Sequence, residues 1–257
     1  MRSSHMIVRT DAVVLRSFDY GETSRIVTLL TRQHGVLGAM AKGARRTKST
    51  FGSTLQPGSY VQAVYYYKPG RGLQTLKETS HLNRFSRLTT DLERVTLALR
   101  VLEIARALLE EGDPYPLALE AVVRALTYLD VAEDRLANAL PWFQLKLAAL
   151  LGFAPDLHRA ELDALPDDGG VLMLESGAVR DEADGLRAYT ASRAALRAFA
   201  VFARADLEIV GRMELPPPVR REVEALVDAY LRVHTEDGIP DRVRRVAGEL
   251  GAESEKA

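Results

Sequence analysis

The sequence contains no cysteine, which excludes disulfides, thiolate metal sites and a thiol nucleophile together. No stretch approaches the roughly 18 consecutive apolar residues that a membrane-spanning helix needs. The N-terminus lacks the cationic-then-apolar layout of a secretion signal. A cytoplasmic location is the expectation. "MRSSHM" reads as a cloning remnant, with Met6 as the native start, so residues 1–5 are set aside. A Gly-x-x-x-x-Gly-Lys-Ser/Thr loop is also missing, and "PGRGLQ" supplies only Gly70-x-Gly72 with no following helix, which argues against a nucleotide cradle. His5, His34, His81, His158 and His234 are scattered, with no His-Glu-x-x-His arrangement among them. The carboxylates of Glu110-Glu111-Asp113, Asp167-Asp168 and Asp181-Glu182-Asp184 fall at helix ends and Gly-rich turns, where solvated acids are ordinary. These carboxylates could bind magnesium, so a metal-dependent nuclease is a third reading, but the expectation is a protein that is not an enzyme. The expectation is no cofactor and no metal.

What the chain does contain is 257 residues at 47% hydrophobic content, enough to bury a sizeable core in one large domain or in two or three smaller ones. Its formal net charge of −1 hides an asymmetry. Residues 1–87 hold 14 Lys/Arg against 4 Asp/Glu, leaving 20 against 31 for residues 88–257. A front segment near +10 joined to a remainder near −11 points to a polyanion partner for the front end.

The two parts also differ in periodicity. "MIVRTDAVVLRS", "SRIVTLLTR", "GVLGAMAKG", "SYVQAVYYYK" and "GLQTLKETSHL" are short, rich in β-branched and aromatic residues, and separated by turn formers such as Tyr20-Gly21, Gly35, Pro57-Gly58 and Pro69-Gly70. Five strands with a longer insertion after the third, residues 43–58, match the outline of an OB-fold barrel, expected over 6–82. An SH3-like barrel fits the count nearly as well.

From residue 88 the pattern is helical. Thr90 to Glu93 form a capping-box sequence ahead of Leu92, Val95, Leu99, Leu102 and Leu109. Further helices are expected over 116–128, 132–151 with a break or kink at Pro141, 192–210 and 216–234, with a short one after Pro240. The helical domain thus spans 88–152 and 191–250. Residues 153–190, with "GGVLMLESGAV", read as a small inserted hairpin module, and 251–257 as a disordered tail. The class is α+β, in several domains.

The densest cation cluster, "KGARRTKS", places Lys42, Arg45, Arg46 and Lys48 on the insertion after the third strand, read as a mobile connection. Its small neighbours let the backbone lie close to a phosphate chain. Four such contacts at about 0.7 each contribute near −2.8 to the slope of log affinity against log salt for single strands. Arg9, Arg25, Arg32, Lys68, Arg71 and Lys77 are placed to assist. Alternation along "SYVQAVYYYK" puts Tyr60, Gln62, Val64, Tyr66 and Lys68 on one face, making Tyr60 and Tyr66 candidates for base stacking or, equally, for barrel packing. An adaptor that binds acidic protein surfaces without nucleic acid is the rival reading.

"LRSFDYGETSRIVTLLTRQHG" (15–35), "AKGARRTKSTFGSTLQPG" (41–58) and "LLGFAPDL" (150–157) resemble, in order and over nearly the whole chain, the bacterial RecO recombination mediators. That resemblance implies an N-terminal OB-fold, then a helical domain interrupted by a zinc-finger-like module. It implies binding of single- and double-stranded DNA, strand annealing, and work with RecR, with single-stranded DNA-binding protein and, indirectly, with RecA, in a nucleoid-associated setting. Many members carry two Cys-x-x-Cys pairs in the module; the matching positions here are Ala160, Asp163, Met173 and Ser176, so no zinc is expected. On the helix at 192–210, Arg193, Arg197 and Arg204 share a side with Leu196, Phe199 and Ala203. This edge is a candidate for the acidic tail of single-stranded DNA-binding protein, against ordinary core packing with a solvated arginine face.

Overall fold

Turn formers at Gly21, Gly35, Pro57-Gly58 and Pro69-Gly70 cut the front of the chain into β1 (Met6–Tyr20), β2 (Ser24–Thr31), β3 (Gly35–Ala41), β4 (Tyr60–Tyr67) and β5 (Leu73–Asn83). The computed structural model describes residues 6–183 and 187–235. The remnant expected at 1–5, the tail expected at 251–257 and the helix expected after Pro240 lie outside them. The strands close in the order β1-β2-β3-β5-β4. β3 and β5 run parallel, and every other neighbouring pair is antiparallel. β1 pairs with β4 over Met6–Val13 and with β2 from Ala12 onward; an irregularity between Val14 and Arg16 interrupts the register, and beyond it β1 pairs with β2 alone.

Period-two alternation decides what lies inside. Val27, Leu29, Leu37, Ala39, Val61, Ala63, Tyr65 and Leu76 form the interior with Val8, Ala12 and Val14. The connection from β3 to β4, expected to be mobile, is instead anchored. Arg46 donates its N–H to Gly43 O, Ser49 to Arg46 O, Thr54 to Phe51 O and Gly58 to Val14 O. Phe51 and Leu55, 4% and 0% exposed, enter the barrel core from below. Burying each contributes roughly 1.5–3 kcal/mol. Between them the Thr54 hydroxyl meets Phe51 O and the Thr79 hydroxyl.

Asp91 caps α1 (Leu92–Leu108) by accepting the Arg94 N–H at 3.0 Å. α2 (Pro116–Val131) follows, and both pack against β1. Between them Gly112 N–H donates to Val36 O at 2.9 Å. Gly35 has φ +57°, and a Cβ there would lie 1.7 Å from Asp113 O, so only glycine lets the α1–α2 connection settle on the start of β3. The chain clusters into two compact units that part between Val131 and Ala132. By compactness α1 and α2, which are expected to open the helical domain at 88, group with the barrel they pack against.

The second unit begins with a 3₁₀ turn at Leu136–Asn138 and α3 (Ala139–Leu150). Pro141 is the third residue of α3, a first-turn position where its missing N–H has no partner to lose, so it marks a start rather than a kink. The helix expected over 192–210 divides into α5 (Arg193–Arg204) and α6 (Leu207–Val210). Trp142 Nε1 donates to Ala205 O at the break, at 3.2 Å. Trp142, Phe143, Phe199, Phe202 and Tyr230 of α7 (Pro217–His234) are the large buried side chains of this unit.

The module expected over 153–190 contains α4 (Arg159–Ala164) and, running one residue past it, a sheet in the order β7-β6-β8, made of β6 (Gly170–Met173), β7 (Val179–Arg180) and β8 (Ala188–Ala191). Buried Leu157, Leu162, Leu165, Val171, Leu172 and Val179 hold it, with an Arg180–Glu161 ion pair. The residues do not fit zinc. Ala160 and Met173 offer no suitable donor, and Asp163 faces Arg159 at 3.5 Å and Arg197 at 3.6 Å. Among the described residues no three His, Cys, Asp or Glu side chains converge as a metal site.

Candidate nucleic-acid interface

Strand register assembles the site. Directly paired residues share a face, so the row Phe18–Ile26–Met40–Thr75–Tyr66 runs across β1, β2, β3, β5 and β4 on the outside of the barrel. A second row is Arg16–Thr28–Gly38–Leu73, and Tyr20 pairs with Ser24 beyond the first. Ile26, Thr28, Gly38, Met40, Leu73, Thr75 and Tyr66 are half-buried. The first row spans four interstrand gaps, roughly 19 Å at about 4.8 Å each. Gly38 keeps the middle low: a Cβ there would sit 3.3 Å from both Gly72 O and Leu73 Cδ1. Leu30 and Val36, further along the same face, are buried at the end where the α1–α2 connection lies.

Cations border this platform at both ends. Lys42 follows β3 directly, and the pairing of Ala41 with Leu76 brings it level with Lys77. Lys77 is the extra residue where β5 shifts register against β4 between Val64 and Tyr65, which turns it outward. Arg46 and Lys48 are exposed on the anchored connection. At the opposite end Lys68 and Arg71 flank the β4–β5 turn, whose shape Gln74 holds: it accepts the Lys68 N–H and donates to the carbonyls of Lys68 and Arg71. Among the described residues Lys42, Arg46, Lys48, Lys68, Arg71 and Lys77 have no ion-pair partner. Their charge is available to an incoming anion.

Other expected cations are committed elsewhere. Asp19 bridges Arg25 at 3.0 Å and Arg45 at 3.2 Å, and Arg45 also donates to Gly21 O. Their role is to tie the β3–β4 connection to the β1–β2 turn, an arrangement completed by the Arg45 N–H on Thr23 O at 2.9 Å. Arg32 lies between Glu120 at 2.9 Å and Asp11 at 3.8 Å, and the Glu120 hydrogen bond raises its pKa. Tyr60 belongs to that cluster. Its hydroxyl donates to Asp11 at 3.5 Å, and burial, helped by the Asp11 charge, pushes its pKa up. Neither Arg32 nor Tyr60 belongs to the platform, because α2 occupies that side of β1. Arg9 faces Glu78 at 3.7 Å, an exposed and weak pairing. Tyr66 alone of the two tyrosines lies on the platform row.

Arg16, Phe18 and Tyr20 were not singled out from the sequence. Phe18 and Tyr20 are 42% and 52% exposed, and the Arg16 guanidinium stands 5.4 Å from the Phe18 ring centroid. Their signal was the alternation in "RSFDYGE" running into a turn, which reads equally as an ordinary strand end.

Of the two readings of α5, a partner-binding edge or core packing, burial favours core packing for its apolar stripe. Leu196 and Phe199 are 0% exposed, and Phe199 packs edge-on to Tyr230 at 6.1 Å. Arg193 is held by Asp167 at 2.6 Å and by Asp163 O. Arg197 donates to Leu162 O, and with exposed Arg204 it borders an open groove of about 500 Å³ whose apolar lining is Leu162, Ala200 and Val201. The helix turns its apolar stripe inward because that stripe is what packs the unit.

Residues 6–85 match the family described as Recombination protein O N terminal, and residues 89–242 the family described as Recombination protein O C terminal. The chain is 54% identical over 246 residues to the DNA repair protein RecO of Salinibacter ruber, covering 95% of this chain and 94% of that protein. It is 30% identical over 257 residues to that of Chloroherpeton thalassium, covering 95% and 99%, and 29% identical over 249 residues to that of Exiguobacterium sibiricum, covering 95% and 98%.

Proposed function

The chain belongs to the Recombination protein O family, and we propose that it performs that family's work by laying single-stranded DNA across the outer face of its front barrel. Its role is that of a recombination mediator in DNA repair. The observation that carries the DNA reading is the half-apolar platform bordered by unpaired cations at both ends. A strand order of β1-β2-β3-β5-β4 with parallel β3 and β5 supports an OB-fold assignment.

The mechanism is binding without bond making or breaking. The platform brings together Lys, Arg, Phe, Tyr, Met, Ile and Thr, a set suited to phosphate contact and stacking. Neutralising the repulsion between two phosphate backbones lets complementary strands pair, and the same surface accepts a duplex backbone with little preference for sequence. The second unit receives partners. The α4–α5 groove, bordered by Arg197 and Arg204, suits an acidic peptide with an apolar side chain, as the tail of single-stranded DNA-binding protein would present. RecR, and through it RecA, completes the assembly that loads recombinase. The site of action is the cytoplasm at the nucleoid. Among the described residues no helix is long and apolar enough to cross a membrane.

An electrophoretic shift of a labelled oligomer of about 30 nucleotides, at about 50 and 200 mM salt with and without magnesium, tests the reading. A shift that weakens steeply with salt and leaves the oligomer intact is expected. No shift at the lower salt would point to an adaptor for acidic protein surfaces. Magnesium-dependent strand breakage would make the protein an enzyme.

A further inference from the structure

We infer that Phe18 and Tyr20, on the second half of β1 where it pairs with β2 alone, are a base-stacking edge that lets the barrel discriminate single strands from duplex. The inference rests on the DNA-binding reading above and adds to it the feature of the nucleic acid that is read.

Large aromatic side chains exposed together on a strand need a reason, because burying either would gain apolar contact. Here both point outward at alternate positions of β1, in the row that contains Ile26 and Met40 and beside Ser24. Asp19, the acid between them in sequence, has its charge held by Arg25 and Arg45; Glu22 at the turn is the other carboxylate nearby. The β3–β4 connection, which carries Lys42, Arg46 and Lys48, is tied to the β1–β2 hairpin through the Arg45 N–H on Thr23 O. A phosphate chain held by Lys42, Arg46 and Lys48 therefore passes the two rings, and the Arg16 guanidinium adds a planar cation beside Phe18. Bases of a single strand are free to stack on such rings. In a duplex they are already stacked on each other and are withdrawn from the surface, so a duplex has only its phosphates to offer.

Stacking and phosphate contact differ in one measurable respect: removing a neutral ring releases no counterion, so it lowers affinity without changing the salt slope. The test measures binding of a fluorescent dT oligomer and of a mixed-sequence duplex of equal length to the full chain and to F18A/Y20A, over a salt series. The expected result is a loss of about ten-fold or more for the oligomer, from stacking worth roughly 1–3 kcal/mol per base. The salt slope and the duplex affinity should both stay unchanged. A second variant, F18L/Y20L, keeps apolar bulk but removes the π faces and should lose the oligomer to a similar degree; circular dichroism and the unfolding midpoint establish that each variant is folded. Equal losses for oligomer and duplex, or no loss for either, overturn the stacking assignment while leaving DNA binding intact. Failure of the unsubstituted chain to bind either nucleic acid overturns the reading beneath it.

Discussion

Replacing Lys42, Arg46 and Lys48 together by alanine removes three exposed cations that meet no carboxylate among the described residues. Each cation withdrawn from a phosphate of a single strand should lower the steepness of log affinity against log salt by about 0.7, so the triple variant should be shallower by about 2.1. Between about 50 and 200 mM salt, that difference means the unsubstituted protein loses roughly 18-fold more affinity than the variant does. Extrapolated from 1 M, where the counterion effect vanishes, the variant binds about two orders of magnitude more weakly at 0.1 M. All sequences should weaken alike, because phosphate contacts carry no base information. The contribution expected from sequence alone was larger because it counted Arg45, whose charge the structure places on Asp19 at 3.2 Å. Fluorescence anisotropy with a labelled dT oligomer, taken over at least five salt concentrations, measures the slope. A slope within about 0.5 of the unsubstituted protein's would refute the assignment of these side chains to the phosphate path.

Three other perturbations follow from named contacts. Asp19→Asn frees Arg25 and Arg45 from their shared carboxylate, so single-strand binding at low salt should tighten and the slope steepen by up to about 1.4, read in the same titration; an unchanged slope would mean that neither guanidinium reaches a phosphate. Burial holds the pKa of His34 and of His81 below the ordinary value, Arg84 adding to the effect at His81. The unfolded chain therefore takes up these protons first, and the stability they confer, complete above about pH 6.5, is lost as pH falls below it. Thermal unfolding between about pH 5.5 and 7.5 should show this decline flattened in H34Q/H81Q, and parallel curves would remove the two histidines as its cause. Gly35→Ala combines φ +57° with a Cβ 1.7 Å from Asp113 O. The α1–α2 connection must lift, and the barrel unit should lose more than the roughly 1–2 kcal/mol that a left-handed alanine costs by itself, measured by urea unfolding.

Much of the front barrel was legible because its signals are local. Turn formers and alternation placed the strands, and alternation also sorted Val61, Ala63 and Tyr65 inward from Tyr60 and Tyr66. What alternation cannot give is the neighbour of an outward face. Tyr60 and Tyr66 look alike along β4, yet α2 reaches the side of β1 where Tyr60 meets Asp11, whereas Tyr66 adjoins Thr75 of the open platform. The same limit explains α5. A heptad-like stripe of Leu196 and Phe199 beside arginines describes either a groove or a core edge, and only the position of Tyr230 decides that it is core. Ion pairs were least legible of all: Arg25 and Arg45 sit 20 residues apart and are joined through a carboxylate that neither segment's pattern points to.

The anchored connection changes how the cation cluster should bind. A flexible loop carrying Lys42, Arg46 and Lys48 would lose backbone freedom on meeting DNA, at about 1–2 kcal/mol for each residue fixed, enough to cancel much of the electrostatic gain. With Phe51 and Leu55 locked in the barrel core and Arg45 tied to the hairpin, most of that ordering has already occurred on folding. The residues of "KGARRTKS" therefore divide their labour: one arginine is neutralised to hold the segment still, and the cations around it remain charged at fixed positions. Pre-organisation of this kind favours affinity without adding a contact. It also accounts for the presence of two buried apolar side chains in a connection whose composition otherwise resembles a solvated loop.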